Sequence, residues 1–166
     1  KLFMAENKTS GRDQVDITGL IGQYAHGNEP SHHMAYLYNF INKPHKTQEK
    51  TRQILTELYT NSPDGISGNE DCGQMSAWYV FSSLGFYPVT PGSNQYIIGS
   101  PLFNKGTFNL ENGNTFTVEA KNNSKENKYI QAVQLNGNDY VYSFINHTDI
   151  MNGGNLVFEM TNKPTS

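Results

Sequence analysis

The chain changes its pattern once, near residue 90, and that change limits its possible folds more than any other feature. From about Pro30 to Leu84, large apolar side chains recur at helical spacing, as in Met34, Leu37, Tyr38 and Ile41. Asn28-Glu29-Pro30-Ser31 reads as a capped start with proline in the first turn, and Pro44 as the end of that helix. Thr47 is placed to cap a second helix that buries Ile54, Leu55 and Leu58 and stops before Asn61-Ser62-Pro63-Asp64-Gly65. A third is expected from about Asp71 to Leu84, ending at Gly85 and carrying Met75, Trp78, Tyr79, Phe81 and Leu84.

After Pro88 and Pro91-Gly92 the runs become short and strand-like. They are Tyr96 to Ile98, Thr107 to Leu110, Thr115 to Val118, Tyr129 to Val133, Tyr140 to Ile145 and Leu156 to Met160. Turn chemistry separates them at Asn112-Gly113-Asn114, Asn136-Gly137-Asn138 and Asn152-Gly153-Gly154. The expected fold class is α+β: helices over residues 1–90, then an antiparallel sheet or sandwich over 91–166.

Composition removes several function classes. A net charge of -3 with 16% charged residues gives no strong field for nucleic acid or anionic lipid. A single cysteine, Cys72, rules out an internal disulfide and a cysteine-based metal site, and it reads as a small buried residue. No apolar run approaches the ~20 residues of a membrane-spanning helix. The 12% aromatic content suits stacking on sugar faces, although most such rings, Trp78 included, are expected in the core.

Two stretches interrupt the periodic pattern. Gly19 to His33 places an amide, a carboxylate and three histidines around glycines at a helix mouth; Gly65 to Gln74 repeats the form as Gly68-Asn69-Glu70-Asp71. Asn and carboxylate oxygens are hard ligands of the kind Ca²⁺ takes. Zinc fits less well, because adjacent His32 and His33 point to different helix faces. Against any site stands the plain reading that Glu29, Glu70 and Asp71 complement helix N-termini. Two copies of one Gly-Asn-acid loop, each entering an aromatic segment, favour a polar, metal-capable pocket. The glycosylation patterns at Asn7, Asn122 and Asn146 are short and carry little weight.

On these same residues the chain resembles glycoside hydrolase family 92, the calcium-dependent exo-α-mannosidases. The matching runs are Gly19 to Asn39, Gly68 to Trp78, Gly85 to Pro91 and Tyr96 to Phe103, and the likeness continues through the β tail. It implies the last helices of an (α/α)6 toroid followed by a β-rich extension, C-terminal in a longer enzyme. It implies removal of terminal α-mannose from glycans with inversion. Such chemistry uses an acid and a base ~6.5–9.5 Å apart, with water between them. The resemblance makes Asp71 the base, with Glu70 in reserve. It makes Glu29 and Asn28 the calcium-holding residues, with Gln23 and Gly27 as weaker candidates. Asn69, His32 and His33 become sugar contacts. Calcium is implied at O2 and O3 of the sugar, as clamp and template. The general acid is expected upstream; Glu6 and Asp16 lie in the wrong context, so the isolated chain is expected to be inactive. The family also implies a periplasmic, secreted or cell-surface location.

Two other readings stand beside this one. A non-catalytic carbohydrate-binding or structural module would show exposed rings on the sheet. A glycoside phosphorylase would need a basic phosphate site, which acidic loops do not offer.

Overall fold

A computed structural model describes residues 1–9, 14 and 17–165, so Asp16 lies outside the described residues. A 3-10 turn at Leu2–Met4 precedes a short hairpin, β1 (Leu20–Ile21) and β2 (Tyr24–Ala25), in which Leu20 faces Ala25 and Ile21 faces Tyr24. A single 3-10 turn, Glu29–Ser31, and a longer 3-10 helix, Met34–Ile41, lead to α1 (Pro44–Glu57). Helix α2 spans Gln74–Ser83.

The segment read as an α-helix over Met34–Ile41 is a 3-10 helix, and this changes which face is buried. Side chains three apart eclipse one another in that geometry. Tyr36 and Asn39 are therefore buried together, whereas Leu37, Phe40 and Ile41 are exposed. Pro44 opens α1 as well as ending the segment before it, since its fixed φ and missing N–H suit the first helical position. Thr47 lies buried within α1. Helix α2 starts at Gln74 rather than Asp71 because Asp71, Cys72 and Gly73 have φ of 52°, 55° and 94°.

Three sheet strands, β3 (Phe86–Tyr87), β4 (Gln95–Ile98) and β9 (Phe144–Asn146), form the partition between two cores. Successive strand residues point to opposite faces. Phe86, Ile98 and Ile145 accordingly enter one core with Phe116, Leu156 and Phe158. Tyr87, Ile97 and Phe144 face the other, with Tyr24, Tyr36, Ile54 and Trp78. This two-sided burial explains why these strands lack an apolar–polar alternation.

The larger sheet contains β5 (Lys105–Asn109), β6 (Thr115–Lys121), β7 (Tyr129–Leu135), β8 (Asn138–Asp139) and β10 (Gly154–Thr161), in the order β5-β6-β10-β7-β8. It departs from the expected antiparallel sheet: β10 inserts between β6 and β7, antiparallel to β7 and parallel to β6. Parallel neighbours need a long crossover, which the stretch through β7, β9 and α3 (His147–Met151) supplies. Asn136-Gly137 turns β7 into β8 with both φ positive, the geometry a two-residue hairpin favours. Residues Tyr140 to Ser143, read as strand, lie outside any ladder.

The architecture is mixed α+β, and a toroid is not evident among the described residues. Helix α1 is tied to the β portion by two side chains. The Gln48 Oε1 accepts from the Ile130 N–H (3.2 Å), and the Arg52 guanidinium donates to the Ser124 carbonyl (2.9 Å), Asn123 Oδ1 (2.7 Å) and the Pro101 carbonyl.

Candidate active site

The two glycine-rich loops meet. The first is held by its hairpin, with the His26 and Gly27 N–H groups donating to the Gly19 and Thr18 carbonyls at 3.1 Å each. A methyl group added to Gly27 would lie 2.1 Å from Thr18 Oγ1 and 3.0 Å from the Ser67 carbonyl oxygen. One added to Gly68, whose φ is +77°, would lie 3.1 Å from the Gly27 carbonyl oxygen. Only residues without a Cβ allow this backbone-to-backbone approach.

Beneath the junction lies an aromatic and imidazole stack. His26 is fully buried and its ring stacks on His32 at 4.6 Å, with the Trp78 ring edge-on to His26 at 4.5 Å. The hydrogen bonds fix both tautomers. His32 Nε2 lies 3.0 Å from the His26 carbonyl, which can only accept, so that nitrogen carries the proton. His32 Nδ1 is then the acceptor for the Gln74 side-chain amide at 3.1 Å, and the same amide donates to the Tyr87 hydroxyl at 2.8 Å. The Tyr59 hydroxyl donates to the Met75 carbonyl (3.2 Å), so it accepts from His26 Nε2–H (2.6 Å). His26 Nδ1 accepts from the Tyr24 hydroxyl at 2.8 Å. Trp78 donates its indole N–H to the His32 carbonyl at 3.1 Å.

Burial decides the charge state of this network. Desolvation, helped by His32, lowers the His26 pKa to about 3. Burial also lowers that of His32, opposed in part by its hydrogen bond to His26 and by the nearby Asp71 charge. Tyr24, Tyr59 and Tyr87 are pushed up by burial. The floor of the site is thus neutral, with its imidazole nitrogens all hydrogen-bonded.

The acids above it differ in their commitments. Glu70 accepts from both the Ser76 N–H (3.0 Å) and the Ser76 hydroxyl (2.9 Å), so its carboxylate closes the first turn of α2. Asp71 is half-buried in a left-handed conformation uncommon for a residue other than glycine, beside His32. Strained residues of this kind cluster at functional sites. Asn69 is exposed, and Cys72, expected to be buried, is exposed as well, because the left-handed turn keeps it outside α2. A cleft of about 520 Å³ opens beside Glu70, lined also by Tyr59, Ser76 and Tyr79.

Asn28 is half-buried and Glu29 exposed at the 3-10 turn that carries the chain from the Gly27 junction to His32. His33 is half-buried and takes no part in the stack. Gln23, a weaker candidate, is bound to the Glu6 and Lys8 carbonyls instead, the latter at 2.9 Å. Among the described residues, no three His, Cys, Asp or Glu side chains are grouped as a metal would need. The oxygens at hand are Glu29, Asn28 and the Thr18 hydroxyl, which is buried without a hydrogen-bond partner. They match calcium in kind but fall short of its ~6–8 oxygen ligands.

The sequence drew attention to both loops but missed His26, Tyr24, Tyr59, Gln74 and Tyr87 as one network. Tyr24 and His26 lay inside the first loop motif and Gln74 inside the second, which was the available signal. The tyrosines looked like ordinary core.

The sequence pattern of the glycosyl hydrolase family 92 catalytic domain matches residues 1–162. A protein described as an uncharacterized secreted glycosidase, from Arthroderma benhamiae, is 34% identical over 143 residues, covering 84% of this chain and 18% of the relative. The chain superposes on the family GH92 α-mannosidase BT3965 of Bacteroides thetaiotaomicron at 47% identity and a TM-score of 0.89, covering 99% of this chain and 22% of that one. The structure of the same enzyme with mannoimidazole gives 46% identity and a TM-score of 0.91, with the same coverage. The inverting family GH92 mannosidase BT2199 of Bacteroides thetaiotaomicron gives 46% identity and a TM-score of 0.80 over 86% of this chain and 19% of that one. The chain therefore spans about a fifth of the length of the relatives it matches.

Proposed function

The chain belongs to glycosyl hydrolase family 92, and from that premise we propose that it is the part of an inverting exo-α-mannosidase that carries the general base. The observation that carries this reading is the meeting of the Gly27 and Gly68 loops over a neutral imidazole stack, with Asp71 beside His32. The solved relatives are mannosidases, one described as inverting and one bound to mannoimidazole, which supports the substrate class.

In this reading Asp71 takes a proton from a water whose oxygen attacks C1 of a terminal α-mannose. The bond from C1 to the glycosidic oxygen breaks, and a general acid outside the described residues protonates the leaving oxygen. The free sugar is released with inverted configuration. Glu70, already bound to Ser76, positions the turn that presents Asp71. Asn69 borders the sugar and His33 is a weaker contact; His32, expected as a sugar contact, instead lies beneath the site, because its ring is buried and both its nitrogens are already hydrogen-bonded. Glu29 and Asn28 would supply part of the oxygen shell of a Ca²⁺ ion, and the remaining ligands would have to come from elsewhere in the protein. When bound, such an ion would hold the sugar's hydroxyls and stabilise developing charge. The toroid assignment for residues 1–90, with 91–166 as the β-rich extension, belongs to the same proposal. A secreted or periplasmic location agrees with the secreted relative. No helix among the described residues is long and apolar enough to cross a membrane.

The test is hydrolysis of an α-1,2-mannobiose by the full-length protein, with product stereochemistry followed by NMR. The expected result is β-mannose as first product, with a rate lost in chelator and restored by Ca²⁺. Retention, or no cleavage of any α-mannoside by the calcium-loaded protein, would overturn it.

A further inference from the structure

Gln74, the first residue of α2, makes three hydrogen bonds that join separate parts of the candidate site. Its backbone N–H donates to the Asp71 carbonyl at 3.2 Å. Its side-chain amide donates to His32 Nδ1 at 3.1 Å and to the Tyr87 hydroxyl at 2.8 Å. One residue thus ties the turn that carries Asp71 to the first glycine-rich loop and to β3.

That turn needs such a tie. Asp71, Cys72 and Gly73 all have positive φ. The left-handed region disfavours any residue with a Cβ, so two consecutive non-glycine residues stay there only where their surroundings enforce it. The bonds inside the turn are local to the start of α2. The Glu70 and Asp71 carbonyls accept from the Met75 and Gln74 N–H groups at 3.2 Å each, and Ser76 holds the Glu70 carboxylate. They set the shape of the turn but not its placement against the first loop. Trp78 reaches that loop too, through the His32 carbonyl, but it does so one helical turn further along α2. The Gln74 side chain makes its connection at the turn itself, and both of its anchors are fixed. His32 and Tyr87 are buried, His32 stacked on His26 and Tyr87 stacked on Tyr36 at 5.6 Å. The amide has one usable orientation, because its oxygen would face the His32 Nδ1 lone pair if it were reversed.

We propose that Gln74 is a positioning residue, whose side chain holds the left-handed turn so that the Asp71 carboxylate meets the attacking water in register with the first loop. This role rests on the assignment of Asp71 as the base. Gln74 acts through Asp71 and touches neither the sugar nor the water.

The test uses the full-length, calcium-loaded protein and an aryl α-mannoside with a good leaving group. Gln74→Met removes the amide and keeps the length of the side chain. Its kcat is expected to fall at least ~10-fold with KM within about threefold, because the sugar contacts stay in place. Tyr87→Phe keeps the bond to His32 and should lose less; it also replaces Gln74→Met should that variant misfold. Ser82→Ala is the stability control: it breaks the buried 2.7 Å bond between the Tyr36 and Ser82 hydroxyls, about two turns along α2, and should leave kcat unchanged. Azide separates a misplaced base from a loosened fold. It attacks C1 as the bond to the aryloxide breaks and has no proton to lose, so it needs no base. Azide should restore turnover in Gln74→Met as it does in Asp71→Ala, with β-mannosyl azide as the product. A kcat within about threefold of wild type in Gln74→Met, or an equal loss in Ser82→Ala, would overturn the proposal. So would rescue of Asp71→Ala without rescue of Gln74→Met. A wild type that cleaves no α-mannoside removes the proposed activity, and hydrogen exchange then decides the brace alone. Faster exchange over residues 68–77 in Gln74→Met, with residues 44–57 unchanged, supports it; unchanged exchange over 68–77 overturns it.

Discussion

His26 offers the sharpest physical test of the site's architecture. Its ring is fully buried between two tyrosine hydroxyls, and its pKa falls from 6.5 to about 3. An imidazole that resists protonation when folded, but accepts it once exposed, makes the exposed state bind more protons as pH falls below ~6.5. Local stability is therefore complete above that pH and declines continuously toward about 3. From about pH 7.5 to about pH 5, His26 alone removes ~2 kcal/mol, because about 1.5 pH units of that interval lie below the exposed-state value of ~6.5, at ~1.4 kcal/mol per pH unit. His32, shifted in the same direction, adds to the decline. Carboxylates contribute little there, since their ordinary values lie near ~4. Hydrogen exchange of peptides spanning residues 20–36, corrected for intrinsic rates, measures the local opening. Protection is expected to fall roughly 30-fold across this interval. His26→Gln should lower protection overall but flatten its pH slope to the part owed to His32. A wild-type change below about threefold, or an equal slope in His26→Gln, would refute the buried neutral imidazole.

Other substitutions probe separate parts of the account. Glu70→Ala removes both acceptors used by Ser76 and should lower local stability by ~0.5–2 kcal/mol, read as faster exchange at the start of α2. Gly27→Ala places a methyl group 2.1 Å from Thr18 Oγ1 and 3.0 Å from the Ser67 carbonyl, forcing the loops apart. Its kcat/KM should drop by about 10²-fold, as misplacement of ~1 Å does, with the fold retained by circular dichroism. Gln74→Leu unpairs His32 Nδ1 and strips a donor from the Tyr87 hydroxyl, so thermal unfolding should report a loss of ~1–3 kcal/mol.

Much of the frame was legible because local rules governed it. Asn136-Gly137 announced its hairpin, and Ile54, Leu55 and Trp78 are buried as helical periodicity suggested. What failed depended on distant or subtler choices. The face buried by Met34–Ile41 turned with the change from a 3.6 to a 3.0 repeat, which these residue types do not encode. The parallel pairing of β10 with β6 is a tertiary decision taken across more than thirty intervening residues. In the site, the glycine loops were visible as motifs, but the hydrogen-bonded set of Tyr24, His26, His32, Tyr59 and Gln74 joins residues up to 50 positions apart. No local signal joins such residues. Glu70 and Asp71, adjacent and chemically alike, differ because Ser76 holds one carboxylate while the left-handed turn leaves the other free of it, a difference that no local pattern encodes.

That separation gives the most direct measurement of the central claim. Asp71→Asn and Glu70→Gln are compared in the full-length, calcium-loaded protein, with kcat measured on an α-mannoside. Each change keeps shape and removes a charge. The account predicts that Asp71→Asn loses at least ~10²-fold in kcat, the scale of a missing general base, while Glu70→Gln loses less than ~10-fold. The reverse order, or full activity in Asp71→Asn, would contradict the assignment of the base and with it the role given to this part of the enzyme.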